Sequence, residues 1–574
     1  MTDHDVVIRG GTVLDGTGAP ARPADVAIRD GIITEVGDVE GTAHRTIAAD
    51  CLLVTPGFVD IHAHYDGQAS WGERMAPSSW HGVTTVVVGN CGVGFAPVRP
   101  ADHERLIELM EGVEDIPGAV LHEGLAWNWQ SFPEFMDALD DRPFDIDVAV
   151  QVPHGALRLN VMGERGAARE PATERDIERM ATQARQAIQA GALGFTTSRT
   201  LNHRTSRGEP TPTLTAEAGE LVGIACEIGA GGRGVLQVVS DFADVDAEFA
   251  LFRRMAEESG RPLSFSLVQT PGIGWRRLLA LLGDANADGV AMTAQVAPRA
   301  VGLLLGLQCT LNPFLTNPVY REIAPLLLAE RVAAMREPGM RGRILAAARS
   351  RSGEARLLGS LHRMYELGDP PDYEPDPESS VTRRAERDGR DPLDLAYDLL
   401  LADGGRAFLY LPFLNYLDGN LDAAGEMLAH PHTVVGLADG GAHVGTICDA
   451  SFPTTLLAYW GRDRARGTLD LPFLVQRQTR DTARAVGLLD RGVIAPGYRA
   501  DVNVIDFEAL TARRPEMRFD LPAGGKRLVQ AADGYVATLV AGHVTYADGE
   551  ECGPLPGRLV RGPQPAPITT GGSR

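Results

Sequence analysis

The sequence predicts an α/β fold, a (β/α)8 barrel of the TIM type with a small β-sandwich domain built from both chain termini. Three observations predict it. Between 57 and 487, short apolar runs alternate with helical stretches, the repeat of βα units around a parallel sheet. The flanking stretches, 1–56 and 488–552, instead alternate apolar and polar residues with a period of two, as half-buried strands do. The length, 574 residues, exceeds one ordinary domain, so a large barrel with a smaller companion suits it.

Taken in order, Val6-Val7-Ile8, Val13-Leu14, Val26-Ala27-Ile28 and Ile32–Val36 read as strands, and Asp30-Gly31 supplies the signal of a tight hairpin. The first barrel strand enters through Pro56-Gly57 and runs Phe58-Val59-Asp60-Ile61 into His62 and His64. The second is Val83–Gly89, the third Asp145–Val152, and the fourth Ala192–Thr197, after a helical run from Asp176 to Gln189. Gly234–Val239, Leu263–Val268, Val290–Thr293 and Val434–Ala438 complete the eight. The last gap is long. Its stretch 318–400 holds amphipathic helical runs and a segment rich in Pro and acidic residues, read as an insertion that covers the barrel mouth or, equally, makes an oligomer contact. Asp501–Asp506, Tyr535–Val540 and Val544–Tyr546 return to the β-domain, and 553–574 forms a Pro/Gly-rich tail expected to be extended or mobile.

The formal net charge of −22 would repel nucleic acid and an anionic membrane surface, so neither is the expected partner. No apolar run approaches the length of a membrane span. Met1-Thr2-Asp3-His4-Asp5 leads into a strand-like segment without the basic and apolar regions of a signal peptide, so a cytoplasmic protein is expected. Cys51, Cys91, Cys226, Cys309, Cys448 and Cys552 show no paired spacing, which fits reduced thiols. Lys526 is the single lysine and lies beyond the barrel strands. A carboxylated lysine, which bridges two metals in some hydrolases, therefore has no residue to form on in the barrel.

Residues two apart on a strand point to one side, so His62 and His64 aim both imidazoles into one cavity. Neutral imidazole is the commonest protein metal ligand, and the pair caps an apolar run, which favours a metal site over a solvated strand face. A barrel carries its active site at the C-terminal ends of its strands. There the second strand offers Cys91 between glycines, a thiolate able to ligate zinc or, read alone, a small buried hydrophobe. The eighth offers Asp439, a carboxylate suited to taking a proton from a metal-activated water and, as a further oxygen donor, to holding the metal.

GFVDIHAHYDGQ from Gly57, GNCGVGFAP from Gly89, the block from Glu111 to Leu139, HGALR at His154–Arg158, GALGFTTSR at Gly191–Arg199, LADGGAH at Leu437–His443 and the Gly492–Asp506 segment resemble the D-aminoacylase (N-acyl-D-amino-acid deacylase) branch of the amidohydrolase superfamily. The resemblance implies a β-sandwich plus (β/α)8 barrel, one or two zinc ions and hydrolysis of an N-acyl amide. His62, His64, Cys91 and Asp439 match the motif positions of its metal ligands and catalytic acid/base.

The chain departs from that pattern at two strands. The family supplies one histidine from strand five and another from strand six, followed by a lysine. Here those strands read Leu236–Asp241 and Phe265–Gln269, with no histidine, so one zinc ion is expected rather than two. Gln237 and Gln269 stand there instead as candidate substrate contacts. The tyrosine expected beyond strand seven is also absent from Gln295–Arg299. In the loop after strand four, Arg199 or Arg204 could grip a substrate carboxylate bidentately, and His203 could ligate metal or polarise a carbonyl; the alternative is an exposed basic loop. His154 and Arg158, where strand three ends, complete the candidate substrate-binding set, while His81, His430 and His432 read as structural or exposed.

The reading is a zinc-dependent amidohydrolase acting on a C–N bond of a small acylated amine or amide. An N-acyl amino acid is the leading substrate, its D configuration implied by the resemblance alone. A cyclic amide of the hydantoin or lactam type, and a degenerate barrel that binds ligand without turnover, stand as alternatives, and assembly into a homo-oligomer stays open.

Overall fold

The computed structural model describes residues 3–272, 274–350 and 357–568. Each of the eight segments expected as barrel strands is a strand: β1 Phe58–Asp60, β2 Val83–Val88, β3 Asp147–Val150 (continued by Val152–Pro153), β4 Gly194–Arg199, β5 Val235–Ser240, β6 Leu263–Leu267, β7 Met292–Val296 and β8 Thr433–Val435. All pair in parallel. β1–β2–β3 form one run, and the continuation of β3 with β4 through β8 forms another. Backbone bonds join the two runs. Leu193 donates to Val150 (2.8 Å) and Gln151 to Val88 (2.9 Å). Beyond β8, Asp439 donates to His62 (3.0 Å) and His64 to Gly440 (2.7 Å), tying the end of the last strand to the end of the first. β2 is buried at every residue and is almost wholly β-branched, as suits a strand covered on both faces.

Helices connect these strands. The Glu174–Ala190 helix starts in a capping box between Thr173 and Asp176 and stops at Gly191, whose φ of +118° no other residue adopts readily. Its apolar face packs Met180, Ala184, Ala187 and Ile188 into the main core.

Strands from both ends of the chain share one nine-stranded sheet. Val502–Ile505 pairs antiparallel with Leu53–Pro56, so the C-terminal strands Tyr535–Val540 and His543–Ala547 continue from the N-terminal His4–Val13 and Arg22–Arg29. The hairpin between Arg29 and Ile32 has φ of +52° at Asp30 and +74° at Gly31, the two positive values of a type I′ turn. A buried ionic knot fastens this part to the parallel strands: the Arg491 guanidinium reaches Asp147 at 2.7 Å and Arg499 reaches it at 2.9 Å, at the start of β3.

The 318–400 stretch expected as an insertion is bracketed by a strand pair. Val301–Leu305 runs antiparallel to Leu409–Leu414, and the helices between them enclose a core of their own around Phe314, Tyr320, Met335 and Tyr397. It flanks the end of β8, because Leu304 donates to Thr446 and Thr310 to Gly445. The stretch after 553 is strapped down: Gly557 donates to Phe144, Val148 to Arg558 and Val560 back to Val148. Residues 569–574 of the expected tail lie outside the described residues. No helix among the described residues is long and apolar enough to cross a membrane.

Candidate metal centre

Three turns bring the chemistry together. β1 ends at Asp60, whose carboxylate accepts the His62 backbone N–H at 3.0 Å and sets the turn that presents His62 and His64. β2 ends in Gly89-Asn90-Cys91-Gly92. A Cβ at Gly89 would lie 2.2 Å from the Gln151 carbonyl, so only glycine allows this approach, and Cys91 itself sits at φ +55°. Beyond β8, Leu437, Asp439 and His443 all have positive φ, at +61°, +48° and +51°. Such backbone costs free energy and persists where surrounding bonds hold it. Here the bonds are those from Asp439 to His62, from His64 to Gly440, and from the His443 N–H to the Glu114 carbonyl.

Four donor atoms converge as a result. His62 Nε2 lies 3.3 Å from Cys91 Sγ and 3.4 Å from Asp439 Oδ1, and His64 Nε2 lies 3.6 Å from the same oxygen. The donor atoms of His62, His64 and Cys91 all fall within 4.8 Å of one another, and all three residues are buried. A tetrahedral zinc about 2.0–2.1 Å from nitrogen or oxygen and about 2.3 Å from sulfur spaces its donors about 3.3–3.6 Å apart. The three separations above fall in that range, and both His64 ring nitrogens lack a hydrogen-bond partner among the described residues, so His62, His64 and Cys91 form a candidate metal site with Asp439 beside it.

Outer residues orient these donors. His62 Nδ1 is 2.7 Å from Gln295 Oε1, and Gln295 is held in turn by Ser264. His64 Nδ1 is 3.3 Å from Glu114 Oε1, whose other oxygen lies 3.7 Å from His443 Nε2. Both rings thus turn Nε2 toward the cluster. Burial raises the Cys91 thiol to about 12. Burial also pushes Asp439 up, but the nearby imidazoles of His64 and His62 outweigh it and hold this carboxyl well below the usual range. Burial alone would lower His64; Glu114 and Asp439 carry it well above its ordinary value. Glu114, Gln295 and His443 were not singled out from sequence, although His443 closes the LADGGAH motif and Glu114 lies in the Glu111–Leu139 block.

The candidate substrate contacts scatter. His203 lies near the cluster, its Nδ1 2.8 Å from Ser198 Oγ, and burial, with the charges of His443 and His64, lowers it to about 3. His154 and Arg158 instead share the buried Glu220, at 2.9 and 2.7 Å, and Arg158 spends its remaining donors on the Pro212 and Glu170 carbonyls. Arg199 is bidentate to Glu248, and Arg204 bonds the Leu201 and Gly208 carbonyls of its own loop. Gln269 pins the 415–418 segment through Asp418 and Leu417. The Gln237 amide is buried on β5 with no hydrogen-bond partner among the described residues. Next to the cluster lies a cavity lined by His64, Asp439, Gln68, Trp71, Leu521 and Arg527, the last two from a hairpin near the C-terminal end of the chain.

Comparison with known proteins places this geometry in a family. A 194-residue stretch is 34% identical to D-aminoacylase of Alcaligenes xylosoxydans xylosoxydans, covering 34% of this chain and 37% of that enzyme. A 304-residue stretch is 34% identical to N-acyl-D-glutamate deacylase of the same organism, covering 51% of this chain and 57% of that enzyme. These matches therefore span about a third and somewhat over half of the two enzymes' lengths. Among solved structures, a D-aminoacylase described as having a binuclear metal centre superposes with a TM-score of 0.65 at 25% identity, covering 97% of this chain and all of that one. N-acyl-D-glutamate deacylase from Bordetella bronchiseptica, complexed with zinc and a phosphonate inhibitor, gives 0.62 at 25%, covering 97% and 99%. The amidohydrolase family profile matches residues 45–546, and with D-aminoacylases and N-acyl-D-glutamate deacylases as its relatives the chain belongs to the amidohydrolase family.

Proposed function

We propose that the eight parallel strands close as a (β/α)8 barrel beside a β-sandwich built from both ends of the chain, and that the protein is a zinc-dependent deacylase of N-acyl amino acids, with the D configuration its relatives' names suggest. The observation that carries this reading is the convergence of the buried His62, His64 and Cys91 donors, with the Asp439 carboxylate 3.4 and 3.6 Å from the two imidazoles. One ion is proposed, since the stretches Leu236–Asp241 and Phe265–Gln269 contain no histidine where the family pattern has one in each.

A zinc ion held there would supply an activated water and polarise the scissile carbonyl. The chain's own residues do the rest. Gln295 and Glu114 fix the two imidazoles. Asp439, kept ionised and partly open to the cavity, takes a proton from the attacking water at its carboxylate and returns it to the leaving amine nitrogen. The buried surroundings of Cys91 and His64 keep bulk water from competing for that proton.

The test is zinc content per chain by elemental analysis, wild type beside a His62→Ala/His64→Ala double variant, followed by amine release from paired D- and L-N-acyl amino acids. One zinc in the wild type, none in the variant and turnover of the D series support the proposal. A wild type that holds no metal even after supplementation makes the chain a binding protein instead.

A further inference from the structure

The cavity beside the cluster is walled partly by a hairpin from the C-terminal part of the chain, Glu516–Leu521 and Gly525–Val529. It is firmly seated. Leu528 donates to the Val444 carbonyl at 2.6 Å, Lys526 Nζ to the Gln308 carbonyl at 2.7 Å, and a Cβ at Gly525 would lie 2.2 Å from Val120. Arg527 brings the one guanidinium or ammonium group to this lining.

We propose that Arg527 is the specificity-determining residue that grips the substrate carboxylate, exchanging Asp520 for it. The inference deepens the deacylase reading and rests on it. Arg527 already makes the contact such a substrate would need: Nε to Asp520 Oδ1 at 2.8 Å and Nη2 to Asp520 Oδ2 at 2.9 Å, the parallel fork of arginine on a carboxylate. Its plane is set from the other side, where Nη1 donates to the Ala76 carbonyl at 2.9 Å and to Gln68 Oε1 at 3.3 Å. The arginine side chain is 12% exposed while Asp520 is 40% exposed, so the cation is fixed and largely dry whereas its anion can return to water. The substrate carboxylate would take over the same fork, so the exchange replaces one bidentate pair with another.

Among the described residues of the lining, no other carries an arginine or lysine charge. Trp71, Ile116, Val444 and Leu528 are apolar, Asp439 is an anion, and Asp449 is held by the buried Arg299 at 2.8 Å. Of the arginines suggested by the sequence, Arg158 and Arg199 are committed to Glu220 and Glu248, and Arg204 donates to two carbonyls of its own loop. Arg527 thus stands in for the lysine that β6 lacks.

The experiment compares kcat/KM for an N-acetyl-D-amino acid and for its matched neutral amide, in which a methyl group replaces the carboxylate. The wild type prefers the acid. Arg527→Met reduces that preference roughly 10- to 100-fold, through KM for the acid, and Arg527→Lys restores part of it. Asp520→Asn, which removes the competing anion, lowers KM for the acid. An unchanged preference in a folded, zinc-loaded Arg527→Met protein overturns the proposal; if that variant fails to fold, an unchanged or raised KM in Asp520→Asn does so. A wild type that hydrolyses neither substrate removes the deacylase reading. Calorimetric titration with the N-acetyl amino acid then decides for Arg527: binding lost in Arg527→Met supports its role, equal binding rejects it.

Discussion

Gln295 Oε1 accepts a 2.7 Å hydrogen bond from His62 Nδ1, and that bond decides which nitrogen of the ring meets the cluster. In this orientation the Gln295 amide nitrogen donates to Ser264 Oγ at 3.0 Å while its oxygen faces His62. The proton stays on Nδ1 and the lone pair of Nε2 is left for a metal.

Removing the acceptor should loosen the metal. Gln295→Leu is expected to weaken zinc binding roughly 10- to 100-fold, while Gln295→Glu, still an acceptor, binds within a few-fold of wild type. Competition against a chromophoric chelator reads the difference, and equal affinity in the leucine variant would remove this role.

Glu114 should behave likewise on the other ring. It contacts His64 at 3.3 Å and His443 at 3.7 Å. Glu114→Gln is expected to lower zinc affinity by about tenfold or more, and His443→Asn, which touches only the distant oxygen, by much less. The same chelator titration ranks the two, and a reversed order would place His443 closer to the metal than Glu114.

Acid should find His81. The ring is fully buried between Thr454 Oγ1 and the Gln530 carbonyl, and burial lowers its pKa from 6.5 to about 4. The unfolded chain therefore binds this proton first, so its contribution is complete above 6.5 and is lost as pH falls toward 4. Over that range the loss amounts to roughly 3 kcal/mol. Unfolding midpoints of wild type and His81→Gln, followed from pH 7 to 4, should converge as the pH drops; parallel curves would count against it.

Stability should also hinge on the ionic knot at the start of β3. Asp147→Ala takes from the buried Arg491 its 2.7 Å partner, leaving it Asp490, and takes from Arg499 one of its two carboxylates, leaving it Asp501 at 3.2 Å. Breaking one side of such a pair costs about 3–5 kcal/mol. Denaturant titration should show that loss with zinc affinity unchanged, because the knot sits at the start of β3 whereas the histidines follow the end of β1.

The parallel strands were legible because burial on both faces demands β-branched runs such as Val83–Val88, and no helix of that composition would serve. The two histidines were legible because strand geometry alone puts them on one side. The remaining site residues were not. Glu114 ends an ordinary amphipathic helix and Gln295 lies inside β7; each becomes functional only through a partner far along the chain. Arg158 and Arg199 show the converse. Their motifs suggested substrate contacts, but sequence spacing could not reveal that Glu220 and Glu248 already neutralise them. Arg527 escaped notice because a hairpin near the C-terminal end carries it across to strands made much earlier.

That separation in sequence also sets a timetable for the growing chain. Leu53–Pro56 is synthesised early, but its antiparallel neighbour Val502–Ile505 leaves the ribosome only on the order of a minute later at ordinary elongation rates. Until then the N-terminal strands present an open edge, the feature that invites pairing with other nascent chains. His62, His64 and Cys91 emerge in the same early window, well ahead of Asp439. A metal captured by those three donors during synthesis would tether the first two parallel strands before the last one exists, so zinc supply during expression, rather than after purification, should govern how much of the protein accumulates in folded form.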